Sequence, residues 1–100
     1  MLLSNPVGNG GKNISRDVRS AQIVLNDWLQ QRGSASIKVD GIFGPKTLSA
    51  INSFQKIEMN VVDGRFDPNG PSITFLSDLH ALFMKDFISN NTNILFNNFQ

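Results

Sequence analysis

One segment of this chain occurs twice, and it constrains the fold more than any other feature. The sequence VDGIFGPKT at residues 39–47 returns 23 residues later as VDGRFDPNGP at residues 62–71. In each copy the Asp-Gly pair predicts a tight turn, because Gly tolerates positive φ and Asp bonds the backbone ahead of it. The Gly-Pro pair then predicts a helix start, because proline at the first helical position loses no hydrogen bond. The sequence therefore predicts two equivalent loops, each followed by a helix.

Apolar residues at helical spacing predict three helices, at about residues 17–31, 45–56 and 71–87. Asn13 or Ser15 is placed to cap the first helix, and Gly33 is placed to end it. The short extended segments before the two Asp-Gly turns are predicted to pair with each other. The predicted fold class is all-α, a compact three-helix bundle with two equivalent Asp-Gly loops. The predicted core stripes are Val18, Ala21, Leu25 and Trp28 or Leu29 in the first helix, Leu48, Ile51 and Phe54 in the second, and Ile73, Leu76, Leu79 and Phe83 in the third.

Composition narrows the class of protein. One hundred residues, 40% of them hydrophobic and 17% charged, indicate one soluble globular domain without a membrane span. The nine basic residues are scattered and the net charge is +1. A nucleic-acid-binding protein is expected to have clustered basic residues, so the sequence argues against that function. The absence of cysteine excludes disulfides and thiolate metal sites.

Further motifs join the two loops into one pattern between about residue 7 and about residue 80. They are Asp17-Val18-Arg19, Gln22, Leu25-Asn26, Ala50-Ile51 and Phe54-Gln55. With these motifs the sequence resembles the three-helix peptidoglycan-binding domains. The lead-in at residues 7–13 and the loop at residues 63–70 resemble a subset of that family, met as small stand-alone proteins near bacterial secretion systems of type VI. The resemblance implies a peptidoglycan-binding-like domain over residues 1–87 and a C-terminal extension over residues 88–100.

Six residues are candidates for ligand binding: Asp40, Phe43, Gln55, Asp63, Arg65 and Phe66. The two Asp residues could bond sugar hydroxyls or a peptide amine, but an Asp before Gly usually accepts N–H groups of its own loop, and we favour that structural role. The resemblance implies that the two Phe residues cover the core, whereas an exposed ring would stack on a sugar. Gln55 either contacts glycan or caps nearby backbone. Arg65 is suited to a stem-peptide carboxylate, although loop arginines are commonly solvated.

Catalytic chemistry has little support in the sequence. Glycan hydrolysis usually needs two positioned carboxylates, and the only glutamate, Glu58, lies in a predicted loop without a partner. Zinc-dependent amidases hold their metal with several His or Cys residues, and this chain has one His and no Cys. That residue, His80, lies in a predicted helix without a nucleophile elbow nearby. We therefore expect no catalytic residues, no metal and no cofactor.

Two functions follow as expectations. The first is a non-catalytic module that binds peptidoglycan or muropeptide and targets or tethers a secreted effector. The alternative is a protein-interaction adaptor, cargo or immunity-type subunit of a type VI secretion system, favoured if Ile94, Leu95, Phe96 and Phe99 form an apolar patch. Neither involves nucleic acid or membrane insertion. Since no signal peptide is visible, we expect synthesis in the cytoplasm and action in the periplasm or cell wall after non-classical export.

Overall fold

The computed structural model describes the backbone of residues 2–98 and the side chains of residues 2–88. The elements follow the order β1 (Val7–Gly8), α1 (Ser15–Gln31), α2 (Pro45–Glu58), β2 (Arg65–Phe66) and α3 (Pro71–Asn98). The three predicted helices are confirmed, and α3 is longer than predicted. Loop 1, residues 40–44, leads into α2, and loop 2, residues 63–70, leads into α3. Among the described residues, no helix has both the length and the apolar character that crossing a membrane requires.

The start of α1 differs from the prediction. Its N-cap is Ile14, which makes no side-chain capping hydrogen bond, so neither Asn13 nor Ser15 caps the helix. Asn13 has a positive φ of 52°, and its side chain faces backwards along the chain. Its Oδ1 accepts from the Gly8 N–H at 2.7 Å, and its Nδ2 donates to the Gly8 carbonyl at 3.0 Å. Asn13 therefore fixes the lead-in against α1 instead of capping the helix.

The end of α1 agrees with the prediction. Gly33 has a φ of +70°, which places it in the left-handed region. Its N–H donates to the Gln30 carbonyl at 3.0 Å, and the Ser34 N–H donates to the Leu29 carbonyl at 2.9 Å. These two bonds form a Schellman motif, which satisfies carbonyls that the last turn would otherwise leave free.

The strand pairing was predicted wrongly. β1 pairs antiparallel with β2, with Val7 opposite Phe66 and Gly8 opposite Arg65, so the lead-in pairs with loop 2. The segment before loop 1 forms no strand, because the side chain of Asn26 satisfies the backbone of Ile37. The Asn26 Oδ1 accepts from the Ile37 N–H at 2.8 Å, and its Nδ2 donates to the Ile37 carbonyl at 2.9 Å. Asn26 is accordingly half-buried, although a polar residue beside the core stripe of the first helix is expected to face solvent.

The core forms around Phe54, which is completely buried in α2. Its ring makes edge contacts with Trp28 at 5.3 Å, Phe66 at 6.0 Å and Phe75 at 5.5 Å between centroids. Such pairs contribute about 0.5–1.5 kcal/mol each beyond their burial. The predicted core residues Val18, Ala21, Leu25, Trp28, Leu29, Ile51, Phe54, Ile73 and Leu76 are all buried, whereas Leu48, Leu79 and Phe83 are half-buried.

α3 extends well past the bundle. At 1.5 Å per residue its 28 residues span about 42 Å. His80 contacts Asp27 of α1, but most of residues 81–88 are exposed, and Phe83 is half-buried. The backbone continues as one helix through the predicted boundary at Phe87, and a domain division there stays a prediction. The side chains of Ile94, Leu95, Phe96 and Phe99 lie outside the described residues.

Gly41 provides a test of the loop geometry. It has a φ of +73°, and a Cβ added there would collide with Ser15 of α1. We expect Gly41→Val to lower the free energy of unfolding by about 1–3 kcal/mol, measured by urea denaturation. Gly33→Val is the matched control, because Gly33 has the same handedness but nothing within 4 Å of an added Cβ. An equal loss in both variants would show that packing against Ser15 contributes nothing.

Candidate functional site

A buried glutamine of α1 holds loop 1. Gln22 is 1% exposed, and its Oε1 accepts from the N–H groups of Asp40 at 3.0 Å and Gly41 at 2.9 Å. Its Nε2 donates to the Asp40 Oδ1 at 3.0 Å, the Ile42 carbonyl at 3.2 Å and the Thr47 hydroxyl at 3.1 Å. We call this set of bonds the Gln22 clamp.

A glutamine of α2 holds loop 2 in the same way. The Oε1 of Gln55 accepts from the N–H groups of Asp63 at 3.1 Å and Gly64 at 2.9 Å. Its Nε2 donates to the Asp63 Oδ1 at 2.9 Å, the Arg65 carbonyl at 3.0 Å and the Ser72 hydroxyl at 3.3 Å. This Gln55 clamp repeats the Gln22 clamp atom for atom, so the sequence repeat corresponds to a repeated structure.

The two loop carboxylates have a structural role at one oxygen each. Asp40 Oδ1 accepts the Ile42 N–H at 3.0 Å, and Asp63 Oδ1 accepts the Arg65 N–H at 3.0 Å, in addition to the clamp amides. Hydrogen bonds from the Ile42 N–H and the Gln22 side chain hold the pKa of Asp40 below its usual range. Within the described part of the chain, Oδ2 of neither residue accepts a hydrogen bond. That second oxygen is the part of each carboxylate open to a ligand.

Loop 2 borders a cleft of about 310 Å³. Arg65 lies in its wall, with its Nε donating to the Asp67 Oδ1 at 2.8 Å and its Nη1 donating to the Asn9 carbonyl at 3.4 Å. The Arg65 side chain is 33% exposed, so it is held in place while part of its guanidinium faces solvent. Its remaining N–H groups form a fork that suits a carboxylate. The other lining residues are Gln55, Met59, Asn60, Val61, Asp63, Asp67, Gly70, Pro71 and Ser72.

The structure separates the six predicted ligand residues. Asp63 and Arg65 meet at the loop 2 cleft, whereas Asp40 lines a second cleft of about 430 Å³ beside loop 1. Phe66 has no exposed surface, because its pairing with Val7 places its ring in the core. Its ring is therefore not available to a ligand, and the role of covering the core fits it. Ligand binding by the exposed atoms of Asp40, Asp63 and Arg65 stays a prediction.

The remaining two candidates have mainly structural positions. Phe43 is half-buried and packs against the core cluster. Gln55 is 2% exposed, and its amide is occupied by the clamp, which matches the backbone-capping alternative. Sequence reasoning included Gln22 only as part of a motif and missed its clamp. A glutamine upstream of each Asp-Gly pair could have indicated the clamp. The two glutamines, however, precede their Asp residues by different numbers of residues, 18 for Gln22 and 8 for Gln55.

The residues considered for catalysis lie elsewhere. Glu58 is the last residue of α2, not part of a loop as predicted, and it is exposed. His80 is half-buried, and its Nδ1 lies 2.5 Å from the Asp27 Oδ2 between α3 and α1. Neither residue lines the loop 2 cleft. Among the described residues there is no cluster of three His, Asp or Glu side chains suited to a metal ion.

Comparison with known families gives one match. The family model described as "Putative peptidoglycan binding domain" matches residues 14–69 of this chain. The matched range contains α1, α2 and both Asp-Gly turns, and it ends inside loop 2 before α3 begins. Comparisons with curated proteins and with solved structures find no match.

The pKa of Asp40 gives a test of the Gln22 clamp. Because that pKa is lowered from 3.8 in the folded state, its stabilising contribution is full above about pH 3.8 and is lost as the pH falls through the folded value. We expect Asp40→Asn to melt below wild type at pH 7 and the difference to shrink as the pH falls below 3.8 and through the lowered pKa of Asp40. The control is Asp78→Asn, at an exposed position of α3. The same shrinking difference in both variants would contradict a specific role of Asp40.

Proposed function

Because this chain belongs to the peptidoglycan-binding domain family, we propose that it is a non-catalytic module that binds bacterial cell wall through the loop 2 cleft. The family supports peptidoglycan as the partner. The observation that carries the choice of cleft is the Arg65 guanidinium, which Asp67 and Asn9 hold at the wall of a concave surface. A pre-positioned side chain loses less entropy on binding than a free one.

The cleft is chemically complementary to a short peptide. The Arg65 fork suits a carboxylate, and the free Oδ2 of Asp63 suits an amine or amide N–H. Met59 and Val61 add apolar surface beside these groups. The stem peptide of peptidoglycan offers all three, since it carries carboxylate, amide and methyl groups. We therefore assign the stem peptide, instead of a sugar ring, to this cleft.

The absence of catalysis is part of the proposal. The carboxylates of Asp63 and Asp67 both line the cleft, and each accepts N–H donors on Oδ1. Glycan hydrolysis needs one carboxyl group as a proton donor beside the scissile bond. Carboxylates bound by N–H donors in this way are arranged as acceptors. The cleft therefore suits binding better than hydrolysis.

The biological setting is also proposed. A binding module without its own activity needs another protein to act on the cell wall. We propose that this protein is a secreted effector, which the module targets or tethers. The resemblance of residues 7–13 and 63–70 to small proteins near type VI secretion systems supports this setting. Action in the periplasm or cell wall after non-classical export is consistent with it.

A second candidate function is a protein-interaction adaptor within such a system. The specific observation in its favour is the exposed apolar surface of α3 beyond His80. Leu82, Met84, Phe87 and Ile88 are 59%, 45%, 62% and 58% exposed. By helical spacing Met84, Phe87 and Ile88 share one side of α3, whereas Leu82 lies on another side. An exposed apolar patch commonly marks a protein interface.

Sedimentation with purified sacculi tests the first function. We expect the wild-type protein to sediment without releasing soluble muropeptides, and Arg65→Gln to bind about tenfold more weakly, as loss of a charge-assisted contact predicts. Arg16→Gln, at an exposed position of α1, is the charge-matched control. Equal binding by Arg65→Gln and Arg16→Gln would remove Arg65 from the site. Muropeptide release by pure protein would contradict the non-catalytic assignment.

Truncation after Phe87 tests the second function. We expect a folded protein with unchanged sacculus binding, because the buried part of α3 precedes this residue. Association with a protein partner that co-purifies with the full chain should weaken. Circular dichroism and thermal melting report folding. An unfolded truncated chain would show that the extension belongs to the core.

A further inference from the structure

One exposed line of side chains follows α2 along most of its length. Lys46, Ser49, Ser53 and Lys56 are spaced by three, four and three residues, so they lie on one side of the helix, and all four are exposed. The line is about 15 Å long, at 1.5 Å per residue. We call these four residues the α2 ridge.

Two shallow grooves run beside the ridge. The first, of about 430 Å³, is lined on its outer side by Pro45, Leu48, Asn52 and Val62. The second, of about 420 Å³, is lined on its outer side by residues that include Lys38. Ser49 and Ser53 line both grooves, so the grooves share the ridge as a common wall. Among the described residues, no carboxylate lines either groove.

The ridge and its second groove concentrate positive charge. Lys38, Lys46 and Lys56 are three of the five lysines of a chain whose net charge is +1. Within the described residues, Arg65 pairs with Asp67 and His80 contacts Asp27, and these lysines form no ion pair with a described carboxylate. Asp40 lines the loop 1 cleft together with Lys38 and Lys46 and offsets part of their charge. After the Ile42 N–H and the Gln22 side chain, Lys38 also helps to hold the pKa of Asp40 below its usual range.

The position of Lys46 is unfavourable for the helix itself. It lies in the first turn of α2, where no acidic residue is present and where the helix dipole is positive. A cation there lowers helix stability, and a neutral side chain would avoid that cost. A ligand with negative charge would reverse the sign of this interaction.

We propose that the α2 ridge and its grooves bind the glycan strand of peptidoglycan, with the lysines pairing with carboxylates of the stem peptides attached along the strand. The Ser49 and Ser53 hydroxyls and the Asn52 amide suit sugar hydroxyls. Pro45, Leu48 and Val62 give the first groove apolar surface for the faces of the sugar rings. The inference rests on the proposed function and adds a glycan surface to the peptide cleft.

The two surfaces adjoin, which allows one polymer to occupy both. Val61 lines the loop 2 cleft, and its neighbour Val62 lines the first groove. A strand lying along α2 can therefore direct a stem peptide towards Arg65. The open, elongated shape fits an extended chain better than a small molecule, which generally binds in a closed pocket.

The test compares two double variants of the full chain. The ridge variant is Lys46→Gln/Lys56→Gln. The control is Lys12→Gln/Lys85→Gln, which has the same net charge and changes exposed lysines outside the ridge. Each exposed lysine contact contributes a few-fold in affinity, so we expect the ridge variant to bind native sacculi about tenfold more weakly than the control at low salt. Its melting temperature should equal or exceed that of wild type, because a cation has left the first turn of α2. On sacculi whose carboxylates have been converted to amides, the ridge variant and the control should bind alike.

Three results would overturn the inference. The first is equal binding of the ridge variant and the control to native sacculi. The second is weaker binding of the ridge variant than of the control to amidated sacculi as well. The third is binding of wild type to double-stranded DNA as tightly as to sacculi at the same salt concentration. The proposed function fails separately, if wild type does not sediment with sacculi or if Arg65→Gln binds like Arg16→Gln. A loss with Arg65→Gln but none with the ridge variant would therefore reject only the glycan surface.

Discussion

Two buried side-chain amides determine how the three helices are joined. The Gln22 clamp connects α1 through loop 1 to Thr47 of α2, and the Gln55 clamp connects α2 through loop 2 to Ser72 of α3. Each loop turns through a glycine with positive φ, whose N–H points to the clamp oxygen and has no helix or strand partner. A buried N–H without an acceptor costs about 1–3 kcal/mol, so each clamp stabilises a turn that the backbone alone could not satisfy. Among the described residues, every buried side-chain polar atom has a partner.

The same clamp supports two loops with different surfaces. Loop 1 carries the exposed apolar Ile42 where loop 2 carries Arg65. Loop 2 also has two more residues between its Asp and its clamped hydroxyl, and this added length supplies Asp67, which orients the Arg65 guanidinium. Backbone geometry is thus set by the shared residues, while the side chains available to a ligand are set by the positions that differ. The Asp that both loops share combines the two roles, because its Oδ1 belongs to the clamp while its Oδ2 is open to a ligand.

Local features were predictable from the sequence, and long-range ones were not. The Asp-Gly turns and the starts of α2 and α3 follow from φ preference and proline geometry within a few residues, and the helices follow from periodicity. The pairing of Val7 with Phe66 joins segments 59 residues apart, and no local pattern in the sequence indicates it. That pairing buries Phe66, whereas Phe43 at the matching position of loop 1 stays half-buried. Likewise, Lys46 and Lys56 share one side of α2 by helical spacing, whereas Lys38 lies beside Lys46 only once the segment before loop 1 has folded against α2.

The long α3 connects the two candidate functions. Phe87 continues the line of Leu76 and Phe83 at helical spacing, so the face that packs on the bundle continues into solvent. The residues that follow include five asparagines, which are poor helix formers, and helices in proteins are stabilised mainly by packing of an apolar face. A helix that extends past its own core with such a composition gains stability if another molecule covers it. The wall-binding surface proposed here comprises loop 2, α2 and the first residues of α3, and the exposed apolar residues begin at Leu82, about 15 Å further along α3. A module with this arrangement is suited to joining a protein partner to peptidoglycan, and the two functions then describe two ends of one tether.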